Sequence, residues 1–237
     1  MLADSQSAST ADQAFSRIVA MTGFGESDLL RDGQTPDSIA VKSVMKDSTV
    51  SFARRYIDGR VAWHFVFNDV IVDTTEFPNP DFEDSRRMRR IEVWVDSSDG
   101  SLLLIRSFRQ SGLEHTDAEP PWSEVFCPMA PLREAFYGFP EVNPQITLQH
   151  ALGLCKGSPV GAEVWSAAYV MYSQRDSEPV PAWVFHFAGV YYPRAHFNST
   201  EDAPSAHRRV VVDAITGNRL VQMWYEIDPT ADPESKD

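Results

Sequence analysis

The chain lacks several features that would assign it quickly to a class of protein. No stretch approaches the ~18 consecutive apolar residues of a membrane-spanning helix. Two cysteines in 237 residues are too few for a disulfide framework. Basic residues are scarce, since 21 Lys and Arg against 34 Asp and Glu leave a net charge of −13. Phosphate groups require a basic surface, so this charge excludes a nucleic-acid partner, and we expect no insertion into a membrane.

The first seven residues lack both the basic segment and the apolar segment of a secretory leader. We therefore expect no signal peptide, and a cytoplasmic protein as the sequence is written. An extracytoplasmic location would follow if a leader had been removed. The sequence leaves the oligomeric state open.

The common catalytic and cofactor-binding motifs are also missing. There is no G-x-S-x-G, P-loop or dinucleotide-binding pattern, and the histidines and cysteines show no zinc-ligand spacing. Asp96 and Asp213 each end a strand pattern, and two such carboxylates could act as acid and base across a shared cleft. We favour the alternative, in which each accepts backbone N–H groups within its own turn. We predict no catalytic residue, no metal and no cofactor, and hence a protein that is not an enzyme.

One internal similarity organises the chain. Residues 62–67 (Ala-Trp-His-Phe-Val-Phe) return 120 residues later as 182–187 (Ala-Trp-Val-Phe-His-Phe). Each copy is followed by an acidic, proline-containing loop, and then by an alternating strand that ends in Asp and a Gly turn. This similarity indicates two copies of one unit. Because side chains alternate along a strand, the Trp/Phe row should face the core, with His64 and His186 on the opposite face.

A helix signal precedes each copy. Thr10 is an N-cap candidate with Gln13 as its capping-box partner, and Gly23 or Gly25 would end this first helix. Thr147 is the corresponding N-cap candidate of the second helix. Its apolar stripe ends at a cysteine, position 155, that we expect to be a buried free thiol.

Alternating and apolar runs predict nine strands. They cover 39–46, 49–57, 61–72, 88–96 and 101–108, and then 162–173, 180–192, 207–213 and 219–226. Asp58-Gly59 predicts a hairpin turn between the second and third of these. Residues 109–146, rich in proline and aromatic residues, should form an ordered bridge, with one helical turn from Leu132 to Phe136.

Residues 209–220 (Arg-Val-Val-Val-Asp-Ala-Ile-Thr-Gly-Asn-Arg-Leu) resemble the end of a PepSY domain. That family ends in an alternating strand, a turn like Val-Asp-Ala-x-Thr-Gly-x-x-Leu and a final strand. Residues 147–226 match it more closely than 10–108, where Ser-Ser-Asp-Gly at 97–100 lacks the Thr before Gly. The resemblance implies a small cystatin-like fold associated with inhibition or protein binding, and it supplies no catalytic residues.

We therefore predict an α+β protein of two tandem cystatin-like or PepSY-like modules, 10–108 and 147–226, joined by the aromatic, proline-rich bridge 109–146. Each module should consist of one helix packed on an antiparallel sheet of about four strands.

The predicted function is non-catalytic: binding of an unknown protein or peptide, as an inhibitor or immunity-type partner, through an open face or edge of a sheet. The loops 76–87 and 192–206 would frame one surface. The candidate binding residues are side chains at these loops: Tyr191, Tyr192, His196, Phe197, Arg86, Arg87 and Arg89. The arginines could receive an acidic peptide or a carboxylate, or could pair with the acidic residues just before them.

The alternative is a small-molecule-binding protein or an enzyme that uses the concave face of the sheet. It requires convergent polar groups in an apolar pocket, such as His64, Asn68 and His186. A concave face filled by the aliphatic side chains of the helix would exclude it.

Overall fold

The computed structural model describes residues 9–45, 54–73, 86–109, 134–155, 164–174, 177–191 and 205–226. The helices in these ranges are α1 Ala11–Thr22, α2 Glu26–Leu29, α3 Pro36–Ile39, α4 Arg54–Ile57 and α5 Leu148–Leu154. The strands are β1 Ala40–Val44, β2 Val61–Asp73, β3 Arg86–Asp96, β4 Leu102–Arg109, β5 Glu134–Phe136, β6 Val164–Gln174, β7 Val180–Tyr191, β8 Ser205–Asp213 and β9 Arg219–Glu226.

All strands belong to one antiparallel sheet in the order β1-β2-β3-β4-β6-β7-β8-β9, and β5 pairs with β6 beside this path. The predicted fold class, two tandem cystatin-like or PepSY-like modules that each carry their own sheet of about four strands, is therefore wrong. Strands β4 and β6 pair directly, from Ile105 with Ala167 to Phe108 with Val164.

The error has a physical cause. An unpaired strand edge presents free backbone N–H and C=O groups, and a second strand can satisfy them. Alternation along the chain identifies β4 and β6 as strands, but it does not say which edge each strand will find. The two inner edges satisfy each other, so the sheet continues across the chain's midpoint.

Helices α1 and α5 lie on the same face of this sheet, which we call the α1 face. Thr10 caps α1 through the predicted capping box with Gln13, and Gly23 ends the helix in the left-handed conformation. The apolar side of α1 is buried at Phe15 and Ile18, as its spacing predicts. One core on this face combines both helices with six strands and includes Phe65, Phe67, Ile91, Val93, Ile105, Leu148, Leu152, Trp165, Trp183, Phe185, Phe187 and Val210.

The repeated tryptophans connect the sheet to the start of each helix. Trp63 Nε1 donates to the carbonyl of Ser9 at 2.9 Å, and Trp183 Nε1 donates to the carbonyl of Ile146 at 2.7 Å. Each acceptor immediately precedes the N-cap residue of α1 or α5. A buried indole N–H requires a partner, and these carbonyls supply one while holding the helix entry against the strand.

The other face, which we call the reverse face, carries a second apolar cluster covered by α4 and β5. Ile57 is fully buried there, and Phe136 contacts Tyr56 in an edge-to-face pair with ring centroids 4.6 Å apart. Its buried members include Ala62, Trp94, Leu103, Leu104, Ala168, Val170, Tyr172, Ala182, Val184 and Val211.

Two local predictions fail at this cluster. Of the strand predicted at 49–57, residues 54–57 form the one-turn helix α4, and 49–53 lie outside the described residues. The hairpin partner of β2 is β1 instead, with Ala40 opposite Phe65. The helical turn predicted at 132–136 is strand β5 where it is described. In both places burial of the aromatic and aliphatic side chains in the reverse-face cluster outweighs the local pattern.

The remaining predicted strands are confirmed to within two residues at each end. Cys155 is confirmed as a buried free thiol, and its burial raises the pKa of that thiol to about 12. The Trp/Phe row faces the α1 core as predicted, whereas His64 and His186 lie on the reverse face. In the described residues no helix is long and apolar enough to cross a membrane.

The end of α1 contacts the start of α5, and alanine substitutions at Gly23 and Gly33 can test this contact. Gly23 and Gly33 both have φ of +81°, so alanine at either site should destabilise by about 1 kcal/mol from backbone strain. A Cβ at Gly23 would also lie 2.9 Å from Thr147 Oγ1, whereas a Cβ at Gly33 meets nothing within 4 Å. We expect Gly23→Ala to lower the free energy of unfolding by about 2 kcal/mol more than Gly33→Ala, as measured by urea denaturation. Equal losses would contradict the contact.

Candidate functional site

A polar row crosses the centre of the reverse face. Strand pairing places five polar side chains directly opposite one another on adjacent strands, in the order Glu92, Arg106, Ser166, His186 and Arg209. The row borders the apolar cluster of the same face. No local pattern in the sequence connects these five positions, because their relation depends on the pairing of β4 with β6.

The most compact part of this row lies around Glu92. Arg90 Nη2 is 2.6 Å from one carboxylate oxygen of Glu92, and His64 Nε2 is 3.7 Å from the other. The His64 ring stacks on Trp94 with centroids 4.3 Å apart and planes 6° from parallel. The Arg106 guanidinium lies 5.1 Å from the centroid of Trp94. The cluster therefore consists of one carboxylate paired with Arg90 and close to His64, with the Trp94 ring beside His64 and Arg106.

The electrostatics of the cluster favour the ionised form of Glu92. Burial alone would raise the pKa of this carboxyl group. The contact with His64 and the positive charges of Arg90 and Arg106 outweigh burial, so the pKa lies below its ordinary value of 4.5. Glu92 is thus an ionised acceptor that binds its own neighbours, which suits a structural role on this face.

The polar groups required by the small-molecule or enzyme alternative do not form one site. His64 lies on β2 and His186 on β7, with three strands between them, which separates them by roughly 19 Å along the sheet. Asn68 lies at the irregularity of β2, where its carbonyl accepts a hydrogen bond from Arg31. The α1 face is filled by the helices and their core. No group of three or more His, Cys, Asp or Glu side chains in the described ranges could hold a metal ion.

The turn interpretation of the two strand-end aspartates is confirmed. Asp96 accepts from the N–H groups of Ser98 and Asp99 and from Arg60 Nη1. Burial alone would raise the pKa of Asp96. The hydrogen bonds from Ser98, Arg60 and Asp99 outweigh burial, so the pKa of Asp96 lies below its ordinary value. A cleft of about 400 Å³ lies beside this turn, lined by Arg60, Val61 and residues 96–99.

Asp213 is used in the same way. Its Oδ1 accepts from Ile215 N at 2.8 Å and from Thr216 N at 3.0 Å. Because β3 and β8 are separated by three strands, the two carboxylates lie roughly 19 Å apart and share no cleft.

The three candidate arginines all lie on β3, but a buried environment is described only for Arg89. Arg89 is fully buried on the α1 face, where it donates through Nε to Ser107 Oγ and lies 5.9 Å from the Trp165 ring centroid. Arg86 and Arg87 belong to the first residues of β3, opposite Asp73 and Val72.

Tyr191 ends β7, opposite Ser205. Tyr192, His196 and Phe197 lie outside the described residues, as do most of the two loops that we predict to frame a binding surface. That surface stays a prediction.

The structure also presents a surface that sequence reasoning did not single out. Strand β1 lies at one end of the sheet order and pairs with β2 alone among the described strands. Val41 is 63% exposed and Val44 50% exposed, and Lys42 between them is exposed as well. Exposed valines on an edge strand are a signal that can be read only once the strand order is known.

The direction of the backbone groups on β1 follows from one hydrogen bond. Met45 N donates to Arg60 O, so the N–H of residue 45 points towards β2. Successive N–H groups alternate in an extended strand, and those of Val44 and Lys42 therefore point away from β2. The outer edge of β1 offers donors and acceptors at these two residues.

Compared with protein-family models, with curated proteins and with solved structures, the chain matches none. The resemblance to PepSY domains stays a prediction that rests on the residues of 147–226 and 10–108.

The charge state of Glu92 leads to a prediction about pH. Its pKa is lower in the folded than in the unfolded chain, so ionised Glu92 stabilises the fold above its ordinary pKa, and this contribution is lost as the pH falls through the folded pKa. We expect Glu92→Gln to cost about 2 kcal/mol at pH 7 and progressively less as the pH falls below the ordinary value of 4.5, as measured by denaturant unfolding. Glu141→Gln, at an exposed site, serves as the control. A loss independent of pH would contradict this assignment.

Proposed function

We propose that the chain is a non-catalytic binding protein that takes up an extended peptide or protein segment as an additional strand on β1. The observation that carries this proposal is the position of β1 at the end of the sheet, with two half-exposed valines beside outward-facing backbone groups. Strand addition obtains affinity from main-chain hydrogen bonds and specificity from alternate side chains.

The side chains of β1 suit such a contact. Exposed apolar residues on a sheet edge are costly to leave bare, and natural edge strands usually avoid them. Val41 projects on the reverse face opposite His64, and Val44 projects on the α1 face opposite Val61. An added strand would cover both. An inhibitor or an immunity-type partner would use such a contact, because both roles require binding without chemistry.

This edge is distinct from the described part of the predicted binding surface at Arg86 and Arg87. The pairing of β1 reaches Phe65 on β2, whereas Arg86 pairs with Asp73 at the other end of that strand. Eight residues of strand separate the two points by roughly 26 Å. A variant on β1 should therefore leave binding at Arg86 and Arg87, in the first residues of β3, unaffected, and the two sites can be tested separately.

The sharpest test uses proline on the outer side of β1. Val44→Pro removes the outward N–H of residue 44 without removing a hydrogen bond to β2, and proline is tolerated on an edge strand in this orientation. Val44→Ala is the matched control, since it shortens the same side chain and keeps the N–H. Both variants should unfold at nearly the same denaturant concentration as the unchanged chain.

Peptides for the test come from a random twelve-residue library displayed on phage and selected on the full chain. We expect the selected peptides to perturb the amide signals of residues 40–44 in NMR titrations. Their dissociation constants should rise by up to about tenfold more for Val44→Pro than for Val44→Ala, because both variants shorten the side chain and only proline removes a hydrogen bond. Failure to select any peptide, or equal binding to both variants, would overturn the proposal.

A further inference from the structure

Lys42 lies at the centre of the proposed edge, and its ammonium group has no carboxylate partner among the described residues. Its Nζ lies 4.6 Å from the ring centroid of Trp63, the residue directly opposite on β2. The side chain is exposed, and its own backbone N–H points outward. One residue thus presents both a main-chain hydrogen-bonding pair and a cation to whatever strand lies alongside.

We infer that the strand which adds to β1 carries an aspartate or glutamate directly opposite Lys42, with apolar residues opposite Val41 and Val44. This inference rests on the proposed function, since it specifies the chemistry of the segment that β1 takes up. Cross-strand neighbours of opposite charge stabilise a sheet, and apolar neighbours cover the exposed valines. Read along β1, the partner pattern is apolar, acidic, any residue, apolar, and the antiparallel partner reads in reverse.

The charge at Lys42 also argues against a second copy of this chain as the occupant. An antiparallel pair of β1 strands centred on Lys42 would place two ammonium groups opposite each other, which is destabilising. Two copies would also each carry a net charge of −13. A short segment with one carboxylate meets less of this repulsion, because charges beyond about 8 Å are screened at physiological ionic strength.

The free energy of one exposed ion pair limits how much a carboxylate opposite Lys42 can add to the affinity. Exposed cross-strand ion pairs are worth roughly 0.2–1 kcal/mol, or up to about a fivefold change in affinity. The backbone hydrogen bonds and the covered valines must therefore supply most of the affinity, while the opposite charge selects among peptides that already bind.

The test uses three synthetic twelve-residue peptides that differ at one position within a Val-Ser-X-Val core, where X is Glu, Gln or Lys. Each is titrated up to millimolar concentration against the ¹⁵N-labelled full chain, against Lys42→Glu and against Val44→Pro. Arg219→Glu is the matched control, because it changes the net charge by the same amount at an exposed site on β9, at the other end of the sheet.

We expect the unchanged chain and Arg219→Glu to bind the Glu peptide about fivefold more tightly than the Lys peptide, and Lys42→Glu to reverse this order. If all three peptides bind with affinities that do not depend on the charge at residue 42, and Val44→Pro abolishes this binding, the inference is overturned and the proposed function stands. Absence of binding by every peptide, or binding that survives Val44→Pro, would overturn both. A concentration-dependent dimer that Val44→Pro dissociates would identify a second copy as the occupant and would also overturn the inference.

Discussion

The backbone pairing of β4 with β6 is the contact on which the rest of the molecule depends. It joins strands that end at Arg109 and begin at Val164, and it converts two groups of four strands into one sheet. The helices α1 and α5 then share a face, and a single core runs beneath both. Without this pair, two inner edges would expose unpaired N–H and C=O groups, and the core on the α1 face would divide.

The same pairing decides which surfaces remain available. Because the inner edges are used up, β1 and β9 become the two ends of the sheet path. The polar row on the reverse face exists for the same reason, since Arg106 on β4 and Ser166 on β6 become neighbours only across this pair. In the Glu92 cluster the charges satisfy one another, whereas among the described residues Lys42 of β1 has no carboxylate partner and Val41 and Val44 are at least half exposed. A binding role therefore fits the edge better than the face.

Several elements could be predicted because their causes are local. The capping box of Thr10 and Gln13, the stop at Gly23 and the hydrogen-bonding turns of Asp96 and Asp213 involve residues a few positions apart. Strand boundaries followed from alternation, which depends only on which side each side chain faces. The burial of the Trp/Phe rows followed from the same argument, although the indole contacts with Ser9 and Ile146 did not.

Local patterns in the chain thus establish most of the helices and strands and the side of each that is buried. The tertiary structure alone decided which strands became neighbours, whether residues 54–57 formed a strand or a turn of helix, and which polar residues came together. The reason is that hydrogen bonding along a strand edge is indifferent to side-chain identity. Which distant strands pair depends on how the whole sheet buries its apolar side chains. In this order β1 lies at one end of the sheet, and its residues Val41, Lys42 and Val44 stay exposed.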